Sequence, residues 1–276
     1  MTSFLAAGPD VLLATALGLP HTTQRTPLHH VGCLGGYRAL AVAADIARSD
    51  PGARVLVVYG DVSSLIGSSL QSPMNEADLL SIAIFTDGAA AAVVAGSGPV
   101  RGARASAPGA AGAPPLARIA ACRSALVRGP GDVSTADQMW LRESGFRPDG
   151  SIVGENFVGK AVPKHLLRSL PPFVDALLAS MDSPPELAST PVLCHPGGPA
   201  ILDVVARALQ LQPWQLAHSW AVLGARGNMS GATNLFVLHD FLQAQARAAA
   251  EARPSHALGF AFGPGLAVEG IVLEML

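Results

Sequence analysis

The sequence predicts an α/β fold, on three observations. Short β-branched runs are closed by glycine, amphipathic segments of helical period lie between them, and Pro/Gly-rich breaks separate the two. Residues 26–32 (TPLHHVG) read as an extended segment delivering the chain to Cys33. Residues 35–49 place Leu40, Ala43, Ala44 and Ala47 at helical spacing and stop at Asp50-Pro51-Gly52. Residues 53–60 (ARVLVVYG) read as a buried strand, so the first unit is strand, cysteine, helix, strand. Residues 79–85 and 89–95 read as two further strands joined by a Thr86-Asp87-Gly88 turn, since Asp-Gly between apolar runs signals a hairpin. Residues 96–115 are Gly/Ala/Pro/Ser-rich without period, the composition of a linker or surface insertion.

The second half repeats part of this layout. A helix is expected over 173–181 and a strand over 190–194 (TPVLC) ending at His195. A Pro196–Pro199 break leads to an amphipathic helix over 200–211 (AILDVVARALQL). Another helix follows Asn228 over 231–251, and the C-terminal segment 258–276 reads as two strands about a Gly-Pro-Gly turn. Each half thus hands a reactive side chain from a strand to a helix start. The expected organisation is an N-terminal half over 1–100, a flexible segment over 101–115 and a C-terminal half over 116–276.

Composition narrows the function classes. The 276 residues carry 18 Lys+Arg against 20 Asp+Glu, without the basic surplus of a nucleic-acid binder. Half the chain is hydrophobic, yet no apolar run nears the ~20 residues of a membrane helix. The apolar start lacks a positive n-region, having no Lys or Arg before Arg25. The chain therefore reads as soluble and cytoplasmic, with neither nucleic acid nor membrane as partner. Three cysteines without regular spacing make neither a disulfide framework nor a zinc site, and no nucleotide-binding glycine loop occurs. No metal and no cofactor is expected.

Cys33 sits in Gly32-Cys33-Leu34-Gly35-Gly36, before a helix. Unpaired N–H groups and the positive end of the helix dipole there favour a thiolate and lower its pKa. A buried packing cysteine is the other reading, and local context leaves both open. Cys122 and Cys194 read as packing residues; strand alternation turns Cys194 away from the face of His195. His195, at a strand end before two glycines, is placed to face a cleft. His29 and His30 serve positioning at most. Asn228 alone reads as an N-cap. Taken with a thiolate and an imidazole, its carboxamide completes the set that acyl-thioester chemistry requires.

Five motifs occur in order: GCLGG at 32–36, FTDGAAA at 85–91, HPGGPAILD at 195–203, GNMSGA at 227–232 and FAFGPGL at 260–266. Together they resemble the type III polyketide synthases, the chalcone/stilbene synthase family. HPGGPAILD and GNMS are the specific ones. The resemblance implies a thiolase-like layered α/β/α/β/α sandwich of two pseudo-repeats, here with the first incomplete. It implies that Cys33 takes an acyl group from a starter acyl-CoA. His195 and Asn228 would hold the thioester oxygen of malonyl-CoA during decarboxylation, and the carbanion would then attack the Cys33-bound acyl group. CoA thioesters are thus substrates. Phe85 matches the family's gatekeeper phenylalanine, with a second gatekeeper within 146–157. Gly263, Pro264 and Gly265 resemble the cavity-shaping loop, and Gly197, Gly198 and Ala200 match positions near the CoA tunnel. A homodimer is implied as well.

The family is longer than this chain, in which only 32 residues precede Cys33 and the two lysines, Lys160 and Lys164, match none of the family's CoA-binding basic positions. A truncated first half is therefore expected, and two alternatives accompany the enzyme reading. One is a catalytically impaired fragment or non-catalytic dimerisation partner of a full-length paralogue. The other is a condensing enzyme like ketoacyl-ACP synthase III, which would need an acyl carrier protein.

Overall fold

A computed structural model describes residues 8–64, 79, 82–98, 115–127, 140–146, 152–157 and 162–276, with backbone alone at 140–146 and 152–157. The expected linker residues 99–114 and the middle of the 146–157 gatekeeper stretch lie outside them. Helix α1 (Pro9–Ala16) starts at a proline and buries none of its residues. A 3₁₀ turn over Gly32–Leu34 then runs into α2 (Gly35–Ser49). The apolar positions of α2 recur every three or four residues, so Tyr37, Leu40, Ala43, Ala44 and Ala47 are buried along one stripe. Its end is set by Asp50, whose side chain accepts from Gly52 N at 3.0 Å. Strands β1 (Arg54–Asp61) and β2 (Gly88–Ala95) pair antiparallel, Val57 opposite Ala92 and Tyr59 opposite Ala90.

The C-terminal half is built on a four-stranded sheet. Its members are β3 (Ala117–Leu126), β6 (Val192–Cys194), β7 (His256–Gly263) and β8 (Ala267–Met275), ordered β3-β8-β7-β6 with only β6–β7 parallel. Strands β4 (Trp140–Phe146) and β5 (Ile152–Phe157) form a separate antiparallel pair. The described residues also form helices α3 (Val162–Leu178), α4 (Pro199–Leu209), α5 (Ala217–Arg226) and α6 (Ala232–Arg247).

Alternation along β6 and β7 divides the core in two. Val192, Cys194, Leu258, Phe260 and Phe262 pack with Leu166, Leu170, Phe173 and Leu177 of α3 and Leu202 and Val205 of α4. Leu193, Ala257, Ala261, Ile271 and Leu273 face the other way, toward Tyr37 and Leu40 of α2 and Leu235, Leu238 and Phe241 of α6. Both faces of the sheet are thus covered, which is why β7 and β8 read as nearly continuous apolar runs. Residues of α2, α6, β1 and β2 share the second core, so α2 and α6 lie between the two sheets. Among the described residues the layers run α3 and α4, the large sheet, α2 and α6, then β1–β2. On the far side of β1–β2, Leu56, Val58 and Val93 are exposed. Among the described residues no helix is long and apolar enough to cross a membrane.

The structure corrects four expectations. Strand β1 is not buried throughout: Val57 is buried while Leu56 and Val58 are exposed, because only one face of β1–β2 meets a core. Residues 26–31 form no strand, because His30 (φ 58°) and Gly32 (φ 51°) bend the chain into the 3₁₀ turn. The hairpin at 86–88 is absent: residues 82–84 are helical and β2 pairs with β1 instead. The backbone groups flanking Phe85 are committed elsewhere, Ile84 O accepting from Asn228 N at 3.0 Å and Thr86 N donating to Asn228 O at 2.9 Å. Helix α3 begins at Val162 rather than near 173 and runs through Pro171 and Pro172. Leu166, Leu170, Phe173, Val174 and Leu177 make one buried stripe that outweighs the two lost N–H groups.

Candidate active site

Four segments meet where α2 and α6 begin. The 3₁₀ turn delivers Cys33, which is 8% exposed. Strand β6 ends at His195, held by its N–H to Phe260 O at 2.9 Å, with the ring edge-on to Phe262. The turn before α6 supplies Asn228; His195 and Asn228 are each 1% exposed. The fourth segment is α6 itself, through Asn234, which is fully buried.

Asn234 joins the other groups. Its Nδ2 donates to Cys33 O at 2.8 Å, and its Oδ1 lies 2.8 Å from His195 Nδ1. A carbonyl oxygen can only accept, so the amide orientation is fixed with Oδ1 toward the imidazole. Nδ1 therefore carries the ring proton. Nε2 is left as a lone-pair acceptor, buried and without a hydrogen-bond partner among the described residues.

Asn228 is oriented as firmly. Its Oδ1 accepts from Ser230 N at 2.9 Å, which leaves Nδ2 as the donor end, 3.3 Å from Gly197 O beside His195. The N-cap reading of Asn228 does not hold, since α6 starts at Ala232 with Gly231 at its N-cap and no side-chain cap. Ser230 adopts φ 55°, a strained conformation for a residue with a side chain, and its hydroxyl hydrogen-bonds the Cys33 thiol.

The electrostatics differ from the dipole argument. Burial pushes the Cys33 thiol up to about 11. Hydrogen bonding from Ser230 and Asn228 pulls it down, while the Asp61 carboxylate pushes it further up. Desolvation by burial is the largest of these effects. Burial also lowers His195 to about 4, against a smaller opposing effect of Asn234. At neutral pH the resting pair is a thiol and a neutral imidazole.

From β1, Tyr59 supports the turn that carries Cys33. Its hydroxyl donates to Gly32 O at 3.0 Å and lies 3.2 Å from Ser230 Oγ. Sequence reasoning missed Tyr59, Ser230 and Asn234. Ser230 stands inside GNMSGA, and Asn234 follows it by one helical turn as a polar residue in an apolar helix face, which was the available signal.

The remaining predicted positions take these places. Phe85 is half-buried and makes an isolated parallel bridge with Asn228. Gly197 contributes its carbonyl to Asn228, Gly198 is buried beside Ile84, and Ala200 lies exposed on the first turn of α4. The Gly263-Pro264-Gly265 turn joins β7 to β8 against the 3₁₀ turn of Cys33: a Cβ on Gly32 would stand 2.9 Å from the Pro264 ring, and one on Gly263 would stand 3.1 Å from Leu34. Cys194 packs into the α3/α4 core, away from the site, as alternation predicts, and Cys122 lies on β3.

Comparison with known proteins identifies the family. The family model for chalcone and stilbene synthases, N-terminal domain, matches residues 2–99, and that for their C-terminal domain matches residues 132–276. Type III polyketide synthase 21 of Oryza sativa subsp. japonica is 34% identical over 97% of this chain and 62% of its own length. Type III polyketide synthase B of Arabidopsis thaliana is 32% identical over 98% of this chain and 64% of its own. The chain thus spans somewhat under two thirds of these curated relatives. Among solved structures, the C-terminal type III polyketide synthase domain of Steely1, a type I/III hybrid from Dictyostelium, superposes with a TM-score of 0.77 at 27% identity, covering 97% of this chain and 67% of that one. PKS-I from the brown alga Ectocarpus siliculosus gives 0.79 at 28% identity, covering 100% and 66%.

Proposed function

The chain belongs to the chalcone and stilbene synthase family, and we propose that it condenses a starter acyl-CoA with malonyl-CoA through an acyl group carried on Cys33. Its fold is the thiolase-like α/β arrangement of the type III polyketide synthases. One observation carries the reading: Asn234 joins the His195 ring to the Cys33 main chain, the Cys33 thiol meets the side chains of Ser230 and Asn228, and His195 Nε2 is left without a partner among the described residues.

In this reading His195 Nε2 takes the Cys33 proton as the sulfur attacks the starter thioester, and CoA departs as its thiolate. The imidazolium Nε2–H and Asn228 Nδ2 then face the malonyl thioester oxygen. As the carboxylate leaves as CO2, its bonding pair passes into the enolate, and negative charge grows on that oxygen where the two donors meet it. The carbanion attacks the Cys33 acyl carbon, Cys33 leaves as thiolate and regains its proton from His195. The product is longer by two carbons. Phe85, tied to Asn228, would border the acyl path, with Gly197, Gly198, Ala200 and the 263–265 turn around it. A homodimer and a cytoplasmic setting belong to the same reading.

The test is CO2 release and chain extension from malonyl-CoA. Wild type should release CO2, Asn228→Ala should fall by about 10²–10³, and Cys33→Ala should form no extended product. Wild-type release no faster than that of His195→Gln would overturn the reading. The exposed Leu56, Val58 and Val93 favour a second reading, a dimerisation partner without catalysis. That reading predicts a Cys33→Ala protein indistinguishable from wild type in every assay.

A further inference from the structure

Asn234 is costly in its position unless both ends of its amide are used. It lies fully buried in the first turn of α6, beside Leu235 and Leu238 on the face that packs the second core, where an unpaired amide is disfavoured. Asparagine is also a poor helix former next to leucine or alanine. Neither packing nor propensity explains it; its two 2.8 Å contacts do.

We propose that Asn234 is a positioning residue of the acyl-transfer site, its oxygen fixing the His195 tautomer and its nitrogen holding the Cys33 main chain. This rests on the condensing reading given above. An imidazole left to itself exchanges between two neutral tautomers, and only the one with hydrogen on Nδ1 leaves Nε2 able to accept a proton. With Oδ1 accepting from Nδ1–H, the proton-accepting nitrogen is decided before substrate arrives. The same amide cannot rotate to serve another partner, because Nδ2 is engaged with Cys33 O. Base and nucleophile are thereby referred to one rigid element, α6, although they come from chain positions 162 residues apart. Asn234 touches no reacting atom in this arrangement and acts through His195 and Cys33.

The experiment is a long-range proton–nitrogen correlation spectrum of the full chain with labelled histidine, the His195 signals being identified by their loss in His195→Gln. Wild type should show hydrogen on Nδ1 and a bare Nε2. Asn234→Leu should lose that fixed state, and kcat for CO2 release from malonyl-CoA should fall by about 10²-fold with KM within about twofold. Asn234→Asp, which keeps the acceptor oxygen and loses the donor, should retain the tautomer. Hydrogen on Nε2 in wild type would overturn the proposal, as would an Asn234→Leu protein with unchanged spectrum and rate. The wild-type spectrum decides even where a variant fails to fold. Because it needs no turnover, its result is separate from the malonyl-CoA assay, whose failure would sink the condensing reading instead.

Discussion

Replacing Gly36 by alanine tests how Cys33 is held. A Cβ at this position would stand 2.4 Å from Gly231 O and 2.9 Å from Asn234 Cβ. The first of these is backbone and cannot swing aside. A carbon needs about 3.3 Å from a carbonyl oxygen, so the start of α2 must retreat from α6 by about 0.9 Å. The same movement stretches the 2.8 Å bond between Asn234 Nδ2 and Cys33 O beyond hydrogen-bonding range. Overpacking of this kind costs about 1–3 kcal/mol, and alanine recovers about 1 kcal/mol over glycine in a helix. The net loss is about 1 kcal/mol, a fall in Tm of about 2–4 °C for a chain of this size. Activity should suffer far more, since a misplacement near 1 Å costs about 10²-fold. Thermal unfolding beside CO2 release from malonyl-CoA reads both quantities. A Gly36→Ala protein with wild-type Tm and a rate within about twofold of wild type would refute the reasoning.

Other outcomes follow from the same geometry. With the Cys33 thiol pushed up to about 11, only about 1 in 3,000 molecules carries the thiolate at pH 7.5. Carbamidomethylation of Cys33 by iodoacetamide should therefore rise about tenfold per pH unit up to about pH 10, and Asp61→Asn should speed it; a plateau below pH 7 would contradict this. His195 is lowered to about 4 by burial, so between pH 6.5 and 4 the unfolded chain binds a proton that the folded one refuses. Unfolding free energy should drop by about 3 kcal/mol across that window and His195→Gln should flatten the slope, as urea titrations at several pH values would read. Tyr59→Phe removes the bond to Gly32 O and the contact with Ser230 while keeping the ring, and should cost about 1–3 kcal/mol. Equal urea midpoints for variant and wild type would show that the hydroxyl supports nothing.

The parts legible in the sequence are those where a local pattern agrees with its environment. Helix α2, strand β1, the β6–His195–α4 unit and the β7–β8 hairpin all follow from apolar period and glycine or proline stops. Ordered motifs named Cys33, His195 and Asn228, and the fold carries all three to one cluster. What failed to show depends on contacts distant along the chain. The Asp-Gly turn at 87–88 was misread because Ile84 and Thr86 give their backbone groups to Asn228, far off in sequence. Helix α3 was cut short because Pro171-Pro172 is a breaker by local rules, while a buried stripe carries the helix through it. Thiol acidity was misjudged for the same reason: a helix start is visible in sequence, and the burial that opposes it is not.

In the proposed reaction Cys33 carries the acyl group while His195 takes its proton. Mass spectrometry of the intact chain and its peptides after incubation with an acyl-CoA tests this most directly. The expected result is an acyl adduct on the Cys33 peptide that forms much more slowly in His195→Gln. An adduct confined to Cys122, or none on Cys33 while the protein remains folded, would contradict it.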